Sequence, residues 1–206
     1  VGDQAGYNVS TGNANVLIGT SAGSSLETGA NNVAIGRNAL AAGDGNGNSV
    51  AVGYRALNSQ DAGAESYNVA VGSDAGKAVS TGVSNTLLGG RSGQATTVGN
   101  KNVFVGHDAG FTNVDGSKSV AVGFEALKVQ EPSGATDCFN VAIGETAGVA
   151  ISTGIKNISI GGASSAALTT GSNNIVLGHA SNVSGSGATN QVVIGYNATG
   201  VSDNAV

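Results

Sequence analysis

Residues 32–36 read Asn-Val-Ala-Ile-Gly, and the same pattern of polar, aliphatic, variable, aliphatic and Gly residues returns along the whole chain. Related copies are NVLIG at 15–19, SVAVG at 49–53 and QVVIG at 191–195. The closing glycines are 17 residues apart in nine of eleven steps, and 19 and 21 apart in the other two. A fixed period of this length is the signature of a repeat architecture. The closing glycines are Gly2, Gly19, Gly36, Gly53, Gly72, Gly89, Gly106, Gly123, Gly144, Gly161, Gly178 and Gly195.

The alternation inside the motif predicts a short strand. The second and fourth motif positions are Val, Ile or Leu with one exception, Thr86, and β-branched residues suit a pleated, buried surface. The middle position points to the other strand face and is never charged, so we expect that face to lie against a partner. The middle column is Leu17, Ala34, Ala51, Ala70, Leu87, Phe104, Ala121, Ala142, Ser159, Val176 and Val193.

The residues around the strand predict turns. Stacked coils bring identical residues to the ~4.8 Å spacing of neighbouring strands, where Asn side chains can hydrogen-bond along a ladder. The motif opens with Asn at Asn15, Asn32, Asn68, Asn85, Asn102, Asn140, Asn157 and Asn174. Aliphatic residues before some of the Thr-Gly pairs predict a weaker return strand. They are Val9, Leu26, Val79, Ile151 and Leu168.

These columns predict an all-β fold, a parallel β-solenoid of about twelve 17-residue coils, with residues 1–206 as a single repeat domain. Two insertions, near 59–66 and 129–137, should bulge from the rod. A longer period is superposed, because AGYNVSTG, AGKAVSTG and AGVAISTG recur once every four coils. A coil this small has a thin core, so we expect homo-oligomerisation, with a trimer as the first choice.

The composition excludes several functional classes. Of 206 residues, 35 are Gly, 10% are charged and 4% are aromatic, too few aromatics for a conventional core. The net charge of −5 and the scattered cations argue against nucleic acid, whose phosphates require clustered Lys and Arg. No apolar run approaches the ~18–20 residues of a membrane-spanning helix, so we expect no membrane insertion by this segment.

The NSVAVG and NNVAIG segments resemble the head repeats of trimeric autotransporter adhesins. The 17-residue spacing with NVAIG followed by a Thr-Gly pair is still more similar to repeat regions of phage and prophage tail-fibre proteins. The resemblance covers essentially the whole chain. It implies a left-handed parallel β-roll assembled as a homotrimer, located in a virion tail fibre or on a bacterial cell surface.

Residues capable of chemistry do not form a catalytic or metal-binding pattern. No nucleophile stands with a base and an orienting group, and His107, His179 and Cys138 lack partners at metal-ligand spacing. We therefore expect no enzyme activity, cofactor or metal. The variable residues after each closing glycine should project outward, and exposed aromatic residues among them could contact a host glycan or protein. The candidates for surface contact are Arg37, Tyr54, Arg55, His107, Asp108, Phe124, Glu125, His179 and Tyr196.

The functional hypothesis is a non-catalytic fibrous rod of a phage tail fibre that supports or contributes to host-surface attachment. The alternative is the head of a bacterial trimeric surface adhesin that binds matrix or glycan. A third hypothesis, ranked below both, is a monomeric extracellular solenoid or an ice-binding solenoid. It rests on a single threonine column, Thr11, Thr28, Thr81, Thr153 and Thr170.

Overall fold

The chain is a parallel β-solenoid in this computed structural model, which describes residues 1–63 and 65–205. Eleven three-residue strands, each paired in parallel with the next in chain order, form one sheet along the rod. None of the described residues belongs to a helix that could cross a membrane. The strands are β1 (Val16–Ile18), β2 (Val33–Ile35), β3 (Val50–Val52), β4 (Val69–Val71), β5 (Thr86–Leu88), β6 (Val103–Val105), β7 (Val120–Val122), β8 (Val141–Ile143), β9 (Ile158–Ile160), β10 (Ile175–Leu177) and β11 (Val192–Ile194).

The register confirms that one repeat is one coil. Val33 pairs with Val16 and Ala34 with Leu17, a displacement of one 17-residue unit. Ten steps of ~4.8 Å between eleven strands give a sheet about 48 Å long. The incomplete first copy adds no strand, although the Gly19 N–H donates to the Val1 carbonyl at 2.9 Å.

The sequence-based assignment of the two strand faces is wrong. The middle column points into the coil: Ala34, Ala51 and Ala121 are fully buried within a single chain. The second and fourth motif positions face outward and are half-buried or exposed in all eleven strands. The inversion follows from size, because a 17-residue coil has a narrow interior that accepts Ala more readily than a pair of branched side chains.

In six of the eleven coils, volume is balanced between two positions six residues apart, with a large side chain at one position and a small residue at the other. Where the middle residue is Ala34, the opposing residue is Leu40, and Leu57 and Leu127 oppose Ala51 and Ala121 in the same way. Where the middle residue is large, the opposing residue is Gly. A Cβ atom on Gly110 would lie 2.4 Å from the ring of Phe104, and one on Gly23 would lie 2.6 Å from Leu17. Both residues are small in the Ala70–Gly76 and Ala142–Gly148 pairs, and there Leu57 and Leu127 of the preceding coil fill the space beside the glycine, as close packing requires.

The eight motif asparagines join each coil to the next. The Asn85 Oδ1 accepts the Asn102 backbone N–H at 3.0 Å, and its Nδ2 donates to the Gly99 carbonyl at 2.9 Å. The same two bonds are made by all eight asparagines. Side chains of successive asparagines bond directly only at the Asn15–Asn32 and Asn157–Asn174 steps. The ladder thus satisfies buried backbone groups at a turn.

A buried glutamine replaces the missing asparagine where the motif opens with Ser. Gln60 Nε2 donates to Ser49 Oγ at 3.0 Å, and Gln60 Oε1 accepts from Asn68 Nδ2 at 2.9 Å. Gln130 repeats this arrangement between Ser119 and Asn140. Both glutamines precede an insertion, so the hydrogen-bond ladder continues past each inserted loop.

The expected return strand does not form in the described residues. The N–H groups of Val9, Leu26, Val79, Ile151 and Leu168 each donate to the carbonyl three residues earlier, which closes a turn. That earlier residue has positive φ, as at Gly76 (φ 56°) and Ser165 (φ 54°), and this conformation bends the chain out of an extended path. Leu26, Val79, Ile151 and Leu168 are buried, so they fill the core without pairing as strands.

We expect the Asn85→Ala variant to lose about 2–4 kcal/mol of unfolding free energy, because a buried N–H and a buried carbonyl lose their partners. Urea unfolding followed by circular dichroism measures the change. Asn8→Ala, at an exposed position, is the matched control and should unfold as the wild type does. Equal stability of both variants would contradict a structural role for the ladder.

Candidate functional site

The largest surface feature is an apolar stripe on the outward side of the sheet, here called the aliphatic face. It consists of the first and third residues of every strand: 21 aliphatic residues and Thr86. Several are more than one-third exposed, among them Val16 (46%), Ile143 (40%) and Ile160 (38%). The face carries no charge along the full length of the sheet. An exposed apolar surface of this extent marks an interaction site.

Two columns of variable residues border the aliphatic face. The trailing column is the residue after each closing glycine, and it contains six of the candidate contact residues. Arg37, His107, Phe124, His179 and Tyr196 are exposed there, and the trailing residue Tyr54 is half-buried.

The trailing column holds three stacked pairs that recur every four coils. Arg37 lies 4.7 Å from the centroid of the Tyr54 ring. His107 stacks on Phe124, and His179 stacks on Tyr196, each with ring centroids 5.8 Å apart. In the coil before each histidine the trailing residue is Gly, at Gly90 and Gly162, and a Cβ on Gly90 would lie 3.2 Å from the His107 ring. A physical pattern thus recurs every four coils, in which a small residue makes room for an Arg or His side chain that covers an aromatic ring.

The next residue after each trailing position is held close to the rod. Arg55 forms a two-point ion pair with Asp74, at 2.8 and 3.0 Å, and this hydrogen bonding raises the pKa of Arg55. Glu125 pairs with Lys128 at 2.7 Å, so both residues are already partnered within the chain.

The prediction that Asp108 projects outward is wrong. Asp108 is only 3% exposed, and its Oδ2 lies 2.6 Å from Arg91 Nη2 and 3.4 Å from His107 Nδ1. Its backbone has positive φ (58°), which turns the side chain against the preceding coil. The carboxylate is therefore a structural ion pair and offers little surface to a partner.

The sequence interpretation missed the leading column, the residue immediately before each motif. Tyr67 and Phe139 are 54% and 47% exposed in this column, at the start of the β4 and β8 coils. Lys118 lies 5.2 Å from the centroid of the Phe139 ring and pairs with Asp137. Tyr67 donates to Glu65, which raises the pKa of Tyr67. In the sequence, the signal for this column was an aromatic residue directly before the motif in both the β4 and the β8 coils.

The two insertions leave the coil at equivalent places. Gly63 and Gly134 have no neighbouring atoms within 4 Å of an added Cβ, so the backbone there is surrounded by open space. Ala64 lies outside the described residues. Gln60 and Gln130 anchor the start of each insertion in the core.

Groups capable of chemistry are scattered. Within residues 1–63 and 65–205 no cluster of three or more His, Cys, Asp or Glu side chains could hold a metal ion. Cys138 is buried, and burial raises the pKa of its thiol. It occupies the place that Ser66 takes in the equivalent coil. A recess of about 220 Å³ lies beside β11, lined by Gln191, Val193 and Val201 among others.

The comparisons with known proteins do not add a family to this geometry. No protein-family model, no curated protein and no solved structure matches the chain. Its function is therefore inferred from the aliphatic face and the two columns that border it.

Proposed function

We propose that the chain is a non-catalytic structural rod of a homotrimeric phage tail fibre that supports or contributes to attachment to a host surface. The observation that carries the proposal is the unbroken aliphatic face. A spacer in contact with water has no need of 21 outward aliphatic side chains, and such a surface in a single chain would favour aggregation. The aliphatic face therefore requires a partner that stays bound to it.

The extent of the face fits a permanent interface. Seven of its 22 residues are 37–68% exposed and the other fifteen are half-buried, so the apolar area is on the order of 1,000 Å². The largest apolar patch on a typical monomer is ~300–600 Å², and a stable interface buries ~800 Å² per partner. Covering the face would add a second apolar core to the thin core inside each coil.

A cyclic arrangement around an axis parallel to the rod suits this surface best. Every coil presents the same flat, three-residue strand, so chains related by rotation place equal layers at equal heights. Three such faces, each turned toward a common axis, enclose a triangular prism. The resemblance of the motif to trimeric fibre and adhesin repeats favours three chains over two, and it implies a left-handed roll. With the partial copy that ends at Val1 and Gly2, the proposed rod has twelve coils.

The alternative is the head of a bacterial trimeric surface adhesin, in which the flank of the rod binds matrix or glycan. The exposed stacked pairs of the trailing column favour it, because aromatic rings beside cations are suited to contact with sugars or a protein surface. In both cases the protein acts outside the cell, with a host glycan or protein as its partner and without a cofactor.

Light scattering after size exclusion tests the proposal. Three chains of 19.7 kDa would weigh about 59 kDa. A mass of 19.7 kDa at micromolar concentration would overturn the trimer and favour the monomeric solenoid. A trimer that binds host cells along its flank, and not only through a tip, would favour the adhesin.

A further inference from the structure

Four aromatic residues border the aliphatic face in the middle of the rod, three of them exposed and Tyr54 half-buried, and they are arranged in two equivalent sets. Tyr54 follows β3 in the trailing column, and Tyr67 precedes β4 in the leading column. Phe124 follows β7, and Phe139 precedes β8, so the same offset of one coil occurs four coils further along. One coil step is ~4.8 Å. In each set an insertion lies between the two aromatic residues in sequence.

The two members of a set cannot meet within one chain. The leading and trailing residues of one coil are six residues apart, with the strand between them, as Tyr67 and Ser73 show. An extended segment of this length spans roughly 20 Å, so the aliphatic face separates the two columns. Aromatic pairs require ring centroids ~4.5–7 Å apart.

Rotation about an axis parallel to the rod brings the two columns together between chains. The leading column of one chain then lies beside the trailing column of its neighbour at the same height. We propose, building on the trimer proposed above, that Tyr54 of one chain packs against Tyr67 of the next, and Phe124 against Phe139, as aromatic clasps that hold a second copy of this chain parallel and in register.

Most residues around the clasps are complementary in size and charge under this arrangement, although Phe139 would face Glu145 of the neighbouring chain. Lys118, at the height of β7 in the leading column, would lie beside Phe124 of the neighbouring chain, which suits a cation and a ring. Tyr67 would face the small Ser73. Glu145 has no ion-pair partner among the described residues, and Lys156 of the neighbouring chain would lie one coil away.

The clasps would explain the four-coil period of the sequence. The aliphatic layers are nearly identical from coil to coil, so sliding one chain by a full coil would keep most apolar contacts. Shifting one chain of a closed trimer by one coil would bring the two rings level at one of its interfaces and move them about 10 Å apart along the axis at the other, beyond contact distance. Register along an otherwise uniform face is thus specified by a few residues at its borders.

Thiol cross-linking tests the inference. In a Cys138→Ser background, which matches Ser66 in the equivalent coil, the Tyr54→Cys/Tyr67→Cys chain is treated with a bismaleimide shorter than the width of the aliphatic face. We expect most chains to appear as covalent dimers and trimers on a denaturing gel. Phe124→Cys/Phe139→Cys is a second pair with the same expected result.

The matched control is Tyr54→Cys/Phe139→Cys, which combines a trailing residue of β3 with a leading residue of β8, about 24 Å further along the rod. It should give no cross-linked species. Equal cross-linking of control and test pairs, or of neither, in a protein whose mass remains about 59 kDa would overturn the clasps and leave the trimer standing. A wild-type mass of 19.7 kDa would overturn the trimer and the clasps together.

Discussion

Replacing Ala51 by Asp is expected to prevent the chain from folding, whereas Asp at the adjacent Val52 should leave a folded chain that no longer assembles. Ala51 is fully buried between coils, and an unpaired carboxylate there costs several kcal/mol, on the order of the whole stability of a small domain. Val52 points outward, so its carboxylate stays hydrated in a single chain and is buried only when chains associate.

Circular dichroism and light scattering on the two variants measure this difference. Ala51→Asp should lack the β signal, and Val52→Asp should keep it with a mass near 19.7 kDa. Val52→Thr, which keeps the branched shape, is the control and should still assemble. A folded Ala51→Asp together with an unfolded Val52→Asp would mean that the two strand faces are assigned the wrong way round.

Phe104 and Gly110 face each other inside one coil, so we expect the effects of substitutions at these two positions on unfolding free energy to be strongly coupled in a double-mutant cycle. Phe104→Ala alone leaves a cavity and should cost about 3–5 kcal/mol. Gly110→Leu alone should cost a similar amount, because its Cβ would lie 2.4 Å from the Phe104 ring. The double variant recreates the Ala51–Leu57 pair, in which Leu57 already has positive φ (47°), so most of the loss should be recovered.

Chemical denaturation of the four proteins gives the coupling energy. Phe104→Ala combined with Gly23→Leu is the control, since Gly23 lies against Leu17 and Leu26, which are distant from Phe104, and its cost should simply add. Additive losses in the Phe104/Gly110 cycle would refute compensation between these two positions.

The repeat was sufficient to predict the solenoid, its coil length and the position of every strand, because the glycine column and the alternation are local features. Alternation defines two faces but cannot tell which one lies inside, and the greater hydrophobicity of Val33 and Ile35 favoured the wrong one. The sequence signal that identifies the inner face is the contrast between Leu17–Gly23 and Ala34–Leu40, in which the large and the small residue change places. Such an exchange of volume is expected only between two positions that face each other inside a closed coil.

The outward positions in the trailing column were also accessible from the sequence, because variable polar residues after a glycine indicate an exposed turn. Asp108, one position further on, is buried because it pairs with Arg91 in the preceding coil, and such a contact can be predicted only once the stacking register is known. The leading column was missed because its residues precede the conserved pattern of the repeat. The missing return strand has the same origin, since positive φ at Gly76 or Ser165 is a property of the closed turn.

The direction of the inter-coil hydrogen bonds has a mechanical consequence. Bonds such as Asn85 to Gly99 join one coil to the next and therefore lie along the rod axis. A pull between the two ends loads all the bonds of one junction together and transmits the same force to the next junction, because each coil touches only its neighbours. The rod should therefore transmit tension with little elongation and yield, when it does, by the parting of one whole junction.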